Sequence, residues 1–148
     1  MKKWLFVVPV VLIASVVAWQ LAEGAAPDCK GSAKCFLGTL DKIVDGDTVE
    51  VDGQTVRLSL VNTPEKGSPG YDYAISFLER ICPLRSNVLV DEDDMQISRS
   101  HRRVIAEVHC EGVNLNEALL DSGNAWILED FCERSEFSSE NWARYHGC

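Results

Sequence analysis

The pair Asp52-Gly53 constrains the fold of this chain more than any other feature, because it separates two runs of alternating apolar and polar residues. The alternating apolar positions are Val49, Val51, Val56, Leu58 and Leu60. An Asp-Gly pair in this setting is the strongest short signal for a hairpin turn. The sequence therefore predicts a β-hairpin whose two open ends lie side by side.

Polar residues stand at both open ends of this hairpin. They are Asp45 and Asp47 before the first strand, and Asn62, Thr63 and Glu65 after the second. Arg57 lies on the second strand, between the two groups. Carboxylate and carbonyl oxygens are the ligands that hard divalent cations take, and a guanidinium grips phosphate oxygens with parallel hydrogen bonds. The hairpin therefore predicts a site for a divalent cation and a phosphate group.

The rest of the chain alternates between short strands and helices. Strands are predicted at residues 36–44, 88–90 and 104–110, and helices at residues 71–81, 114–122 and 139–145. The acidic run at residues 91–94 is interpreted as a solvated loop rather than a second metal site. About five strands with two or three packed helices make an α+β domain, and a five-stranded Greek-key barrel fits this order. Periodicity alone does not separate that barrel from other α+β folds.

The N-terminus has the composition of a secretory signal. Lys2 and Lys3 precede an uncharged run over residues 4–22, and small residues follow it. This pattern predicts a cleaved signal peptide over residues 1–24. The alternative is an uncleaved membrane anchor over residues 4–22, because the apolar run is almost long enough to span a bilayer. In both cases we expect residues 36–148 to form one exported domain, secreted or extracytoplasmic.

Six cysteines follow the predicted signal, at Cys29, Cys35, Cys82, Cys110, Cys132 and Cys148. An even number in a small exported domain indicates disulfides rather than metal ligands. The spacing does not settle the connectivity. The simplest arrangement joins Cys29 to Cys35 and Cys132 to Cys148, which leaves Cys82 with Cys110.

The formal net charge of −9 is the main objection to a nucleic-acid substrate. Contacts to phosphates supply most of the non-specific affinity for nucleic acid, so an acidic domain binds it poorly. A single dense basic cluster runs against this balance, at Arg99, His101, Arg102 and Arg103. Local positive charge at that cluster can override the net charge of the domain.

The run Asp45-Gly46-Asp47-Thr48, followed by Arg57-Leu58 and by Val61-Asn62-Thr63-Pro64-Glu65, resembles the signature of the staphylococcal nuclease family. The resemblance extends from about Leu37 to Trp126. It implies a barrel of the OB type that binds one calcium ion and hydrolyses phosphodiesters of DNA and RNA, leaving 3′-phosphate ends. Nucleic acid would be the substrate, and we expect a monomer without a stable protein partner.

The resemblance also implies roles for individual residues. Asp47, Asn62 and Thr63 would hold the metal ion. Arg57 and Arg103 would bind the phosphate, and Glu65 would orient or deprotonate the attacking water. His101 and Arg102 would contact substrate. The family's aromatic substrate-stacking position falls on Glu129, with Phe131 nearby.

One departure from the family pattern bears on the ion. Asn62 stands where the family usually has Asp, which removes one formal charge and opens the site to other divalent ions. Together with the net charge, this favours an alternative function. In that alternative the chain is a non-catalytic OB-type binding module at the cell surface, and it touches the membrane only if residues 4–22 are retained.

Overall fold

The computed structural model describes residues 29–97 and 103–148. The predicted hairpin is present: strands β2 (Thr48–Val51) and β3 (Gln54–Leu58) pair in antiparallel register. Asp52 and Gly53 connect them with φ angles of 49° and 74°. Two successive residues at positive φ form the turn whose twist matches that of the strands, which is why Asp-Gly is favoured there.

The described residues contain eight strands and three α-helices. The remaining strands are β1 (Cys35–Asp45), β4 (Val61–Asn62), β5 (Asn87–Glu92), β6 (Arg103–Cys110), β7 (Val113–Asn114) and β8 (Trp126–Ile127). The helices are α1 (Tyr71–Ile81), α2 (Leu115–Asp121) and α3 (Asn141–His146). Two 3₁₀ segments, Glu129–Arg134 and Glu136–Ser139, lie between β8 and α3. The bounds of α1 are those predicted from the sequence.

Five of these strands close into a barrel. They run in the order β3-β2-β1-β5-β6, and β3 then pairs with β6 in parallel. The inward positions of β3 and β6 are buried, and Val56, Leu58, Val104 and Ala106 are no more than 5% exposed. Helix α1 covers the barrel with Ala74 and Leu78, and α2 with Leu115 and Leu119. The predicted α+β fold with a five-stranded OB-type barrel is confirmed.

The chain bends sharply after β3, which differs from the longer strand that the alternation predicted. Leu60 has a φ of 63°, and β4 pairs with β8 instead of continuing the barrel. The bend is held by Asn116 on α2, whose side-chain amide donates to the carbonyl oxygens of Ser59 (2.9 Å) and Ala106 (3.2 Å). Because these partners lie far apart in sequence, local alternation did not reveal the bend.

The prediction of a solvated loop at residues 91–94 is wrong. Asp91 and Glu92 end strand β5, and Asp91, Glu92 and Asp93 are 2%, 9% and 0% exposed. Asp93 accepts hydrogen bonds from the Ser59 hydroxyl (2.9 Å) and the Glu136 amide N–H (3.2 Å). A buried carboxylate is tolerated where it accepts such hydrogen bonds, and Asp93 in this way fastens the C-terminal segment to the barrel.

Three disulfides join Cys29 to Cys35, Cys82 to Cys110 and Cys132 to Cys148. This is the simplest pairing that the sequence allowed. The second bond ties the end of α1 to β6, and the third ties the first 3₁₀ segment to the last residue. Cross-links of this kind stabilise a small domain chiefly by restricting its unfolded chain.

The predicted signal peptide or anchor lies outside the described residues. Within residues 29–97 and 103–148, no helix is long and apolar enough to cross a bilayer.

Asp91 provides a test of the burial of the acidic residues 91–93. Its Oδ2 accepts from the Lys30 amide N–H at 2.7 Å, whereas its Oδ1 is buried and has no hydrogen-bond partner among the described residues. Burial, and then the charge of Glu107, raise the pKa of Asp91 above its usual value. The charged form therefore destabilises the fold at neutral pH.

We expect Asp91→Asn to raise the Tm by a few degrees at pH 8. The gain should shrink as the pH falls through the raised folded-state pKa, and should vanish below the unfolded value of about 3.9, where the wild-type carboxyl is neutral in both states. Thermal unfolding at pH 8, and at a pH below the unfolded pKa of about 3.9, measures this difference. Asp130→Asn, at an exposed position, is the matched control. A variant less stable than wild type at pH 8 would contradict the prediction.

Candidate functional site

Asp47 is the centre of the polar cluster at the hairpin's open end. It lies in the turn between β1 and β2 and is 7% exposed. Its Oδ2 accepts from both the amide N–H (3.0 Å) and the hydroxyl (3.1 Å) of Thr63. Its Oδ1 accepts from the Thr48 hydroxyl at 3.1 Å. The structure thus brings the two ends of the hairpin together as the sequence predicted.

Gly46 permits this close approach. A Cβ atom at that position would lie 2.6 Å from both the Ala74 Cβ and the Thr63 Oγ1. The backbone of the turn therefore packs directly against α1 and against the residue that follows β4. A side chain would push Asp47 away from Thr63.

Arg57 reaches into the same cluster from β3. Its Nη1 lies 2.5 Å from the Asp47 Oδ1, and its Nη2 donates to the Asn62 Oδ1 at 3.0 Å. The Arg57 side chain is only 16% exposed. Because the pair is largely removed from water, the attraction between the two charges is screened less than at an open surface.

Glu65 and Asp45 complete an acidic groove with Asp47, Thr63 and Tyr71. Glu65 is exposed, so its carboxylate is free to meet solvent. Partial burial, and then the nearby charge of Asp47, raise the pKa of Asp45 above its usual value. A cation in the groove would relieve this repulsion, and the donors are all oxygen atoms, so the residues fit a hard divalent ion.

A second feature is a cavity of about 340 Å³ that Arg57 helps to line. Among the described residues, its polar lining consists of Arg57, Arg103 and Gln96, and its apolar lining of Leu58, Leu60, Ile105, Leu128 and Phe131. The register of β3 and β6 explains why both arginines reach it. Thr55 pairs with Arg103 and Arg57 with Ile105, so both arginine side chains project from the outer face, two residues apart along the strands.

Leu128 and Gln96 line this cavity, although no motif in the sequence indicates it. Phe131, two residues after the predicted stacking position Glu129, also lines the cavity and is 38% exposed. Phe131 belongs to the first 3₁₀ segment, which the Cys132–Cys148 disulfide fastens. In the sequence, the available signal was an aromatic residue next to a cysteine, but the neighbours of Phe131 follow from the tertiary fold.

Two predicted substrate contacts, His101 and Arg102, lie outside the described residues, as does Arg99. A compact group of possible metal ligands elsewhere in the described ranges consists of Cys29, Cys35 and Asp91. Both of its cysteines are joined in a disulfide, so that group does not offer thiolates to an ion.

The barrel, the acidic groove and the pair of arginines define a class of protein. Residues 55–145 match the family described as staphylococcal nuclease homologue, and these residues are more than half of the chain. The chain therefore belongs to the staphylococcal nuclease family. The match begins within β3, so it includes Arg57, Asn62, Thr63, Glu65 and Arg103, while Asp47 precedes it.

Several relatives are known by name. The chain is 30% identical over 116 residues to endonuclease YncB of Bacillus subtilis (strain 168), covering 71% of this chain and 54% of that protein. It is 30% identical over 99 residues to an uncharacterized endonuclease of Escherichia coli, covering 64% of this chain and 62% of that protein. The chain thus spans between half and two thirds of these relatives' own lengths.

The close packing of the turn at Gly46 can be tested by its effect on stability. We expect Gly46→Ala to lower the free energy of unfolding by about 1–3 kcal/mol, because the added methyl group overpacks against Ala74 and Thr63. Urea unfolding measures this. Gly53→Asn is the matched control, because Gly53 has open space around it and Asn tolerates its φ of 74°. Equal stability of Gly46→Ala and wild type would contradict the packing at this turn.

Proposed function

We propose that this chain is an exported, metal-dependent nuclease that hydrolyses phosphodiester bonds of DNA or RNA. The observation that carries the proposal is that Arg57 pairs with Asp47 of the acidic groove and also lines, with Arg103, the neighbouring cavity. Two guanidinium groups beside one apolar cavity match a phosphate with an attached nucleoside. Family membership and relatives named as endonucleases support the same reaction.

The proposed mechanism assigns one task to each group. A divalent ion at Asp47, with Thr63 beside it, would supply Lewis-acid stabilisation of the phosphate charge. Arg57 and Arg103 bind non-bridging phosphate oxygens and hold them more tightly as negative charge grows in the transition state. Glu65 is exposed beside the groove, where it can orient a water molecule and accept its proton. His101 and Arg102 are proposed to add contacts to the substrate.

The proposal also covers the identity of the ion, the ends of the products and the export of the chain. Calcium is the proposed ion, because the groove offers hard oxygen donors in a flexible arrangement. The cleavage is proposed to leave 3′-phosphate ends, as the family resemblance implies. Export agrees with the three disulfides, which persist in oxidising compartments.

A non-catalytic binding module remains the second candidate, and the net charge of −9 favours it. The two functions differ in one measurable respect. A nuclease converts single-stranded DNA to short products in millimolar calcium and stops when the ion is chelated. Absence of hydrolysis with calcium, manganese and magnesium alike would leave the binding module as the function.

We expect Glu65→Gln to lower kcat by at least about a hundredfold, because the amide keeps the size of the side chain but cannot accept the proton. Its Tm should match wild type, since Glu65 is exposed. Initial rates on single-stranded DNA measure the effect. Glu79→Gln, an exposed change of the same charge on α1, should keep full activity. Wild-type rates in Glu65→Gln would remove Glu65 from the mechanism.

Phe131 tests whether the cavity binds a base. We expect Phe131→Ala to raise KM for a single-stranded oligonucleotide about tenfold, because stacking on an aromatic ring contributes substantially to each bound base. An abasic oligonucleotide of equal length should respond much less. Tyr145→Ala removes a more exposed aromatic side chain away from the cavity and should change neither value. Equal losses on both substrates would show that Phe131 does not contact the base.

A further inference from the structure

The role of Asn62 can be inferred from the partner of its side-chain oxygen. Oδ1 of Asn62 accepts a hydrogen bond from Nη2 of Arg57 at 3.0 Å. The same guanidinium holds Asp47 through Nη1, at 2.5 Å from Oδ1. Arg57 therefore spans two acceptors, one from each end of the hairpin.

The amide of Asn62 has only one oxygen, and its other terminal group is an NH₂ donor that repels cations. A metal ion bound to that oxygen would lie beside the guanidinium that already uses it, so two positive charges would be close together. An aspartate at the same position has two oxygens, one for the arginine and one for an ion. The replacement of Asp by Asn therefore removes the oxygen that an ion would take.

The backbone around Asn62 favours the arginine contact. Asn62 is the second residue of β4, where it pairs with Trp126 of β8. The next residue, Thr63, is held to Oδ2 of Asp47 by two hydrogen bonds. With both sides fixed, the side chain of Asn62 meets Arg57 without a change in the main chain.

We propose that Asn62 is a positioning residue for Arg57 and not a metal ligand. This rests on the proposed function and revises the expectation that Asn62 binds the ion. The ion site then lacks the carboxylate that position 62 would otherwise supply. Since affinity for calcium rises with the number of charged ligands, this chain binds the ion weakly and discriminates little between hard divalent ions.

The arrangement also explains what the amide contributes. An ion at Asp47 would compete with Arg57 for the same carboxylate and would weaken the contact through Nη1. The hydrogen bond to Asn62 is neutral on the acceptor side and would not be lost to the ion. It would keep the guanidinium at the edge of the groove, with Nη1 available to a phosphate oxygen.

Calcium titration in the absence of nucleic acid tests this directly, by calorimetry on the intact protein. We expect Asn62→Leu to change the dissociation constant for calcium by less than about twofold, because no ligand is lost. Asn62→Asp should tighten it by about tenfold or more, because a charged ligand is added. A tenfold loss of affinity in Asn62→Leu would overturn the proposal. If Asn62→Leu does not fold, Asn62→Ala replaces it with the same expected result.

Kinetics test the positioning role separately. We expect Asn62→Leu to lower kcat about tenfold and Asn62→Asp to restore it, because the carboxylate accepts the same hydrogen bond from Nη2. In an Arg57→Lys background, Asn62→Leu should have little further effect, since residues that act through one group are not additive. Fully additive losses would show that Asn62 acts independently of Arg57.

The controls separate the two proposals. Asn87 is exposed on β5, so Asn87→Leu and Asn87→Asp make the same chemical changes away from the site and should leave calcium affinity unaltered. If wild type hydrolyses no nucleic acid with any divalent ion, the proposed function fails. The calcium titrations of the two Asn62 variants still decide whether the amide is a ligand.

Discussion

The parallel pairing of β3 with β6 is the constraint on which the rest of the structure depends. It closes the barrel, so that Val56 and Val104 face the core while their neighbours project outward. The same register places Arg57 and Arg103, distant in sequence, along one outer face. A core that excludes water and a surface that presents two guanidinium groups are therefore two consequences of one strand pairing.

Part of the acidic charge of the chain lies on carboxylates that accept hydrogen bonds within the fold, which composition does not show. Asp93 and Asp94 serve as acceptors that fasten the two ends of the domain: Asp93 binds Ser59 and the second 3₁₀ segment, and Asp94 binds the amide N–H groups of Ser32 and Ala33. These backbone donors lower the pKa of Asp94. A net charge of −9 is thus compatible with a locally basic cavity, because screening limits the reach of exposed charges to about 10 Å at ordinary salt.

The cluster at the hairpin's open end shows how burial organises charge. The Asp47 carboxylate has little exposure, and a buried charge is stable only when it is paired and hydrogen-bonded. Thr63 and Arg57 meet both requirements. This partnership holds the acidic groove and the arginine in one arrangement, so that the choice of Asn at position 62 affects how an ion and a phosphate share them.

The sequence by itself determined the hairpin at Asp52-Gly53, the bounds of α1 and the convergence of Asp47 with Thr63, because each follows from local turn chemistry or short-range periodicity. Tertiary structure decided the burial of residues 91–93, the bend at Leu60, the position of Phe131 in the cavity and the partner of Asn62. These depend on contacts between segments far apart in the chain. An acidic run has the same composition whether it meets water or buried N–H donors, and only the folded chain brings those donors to it.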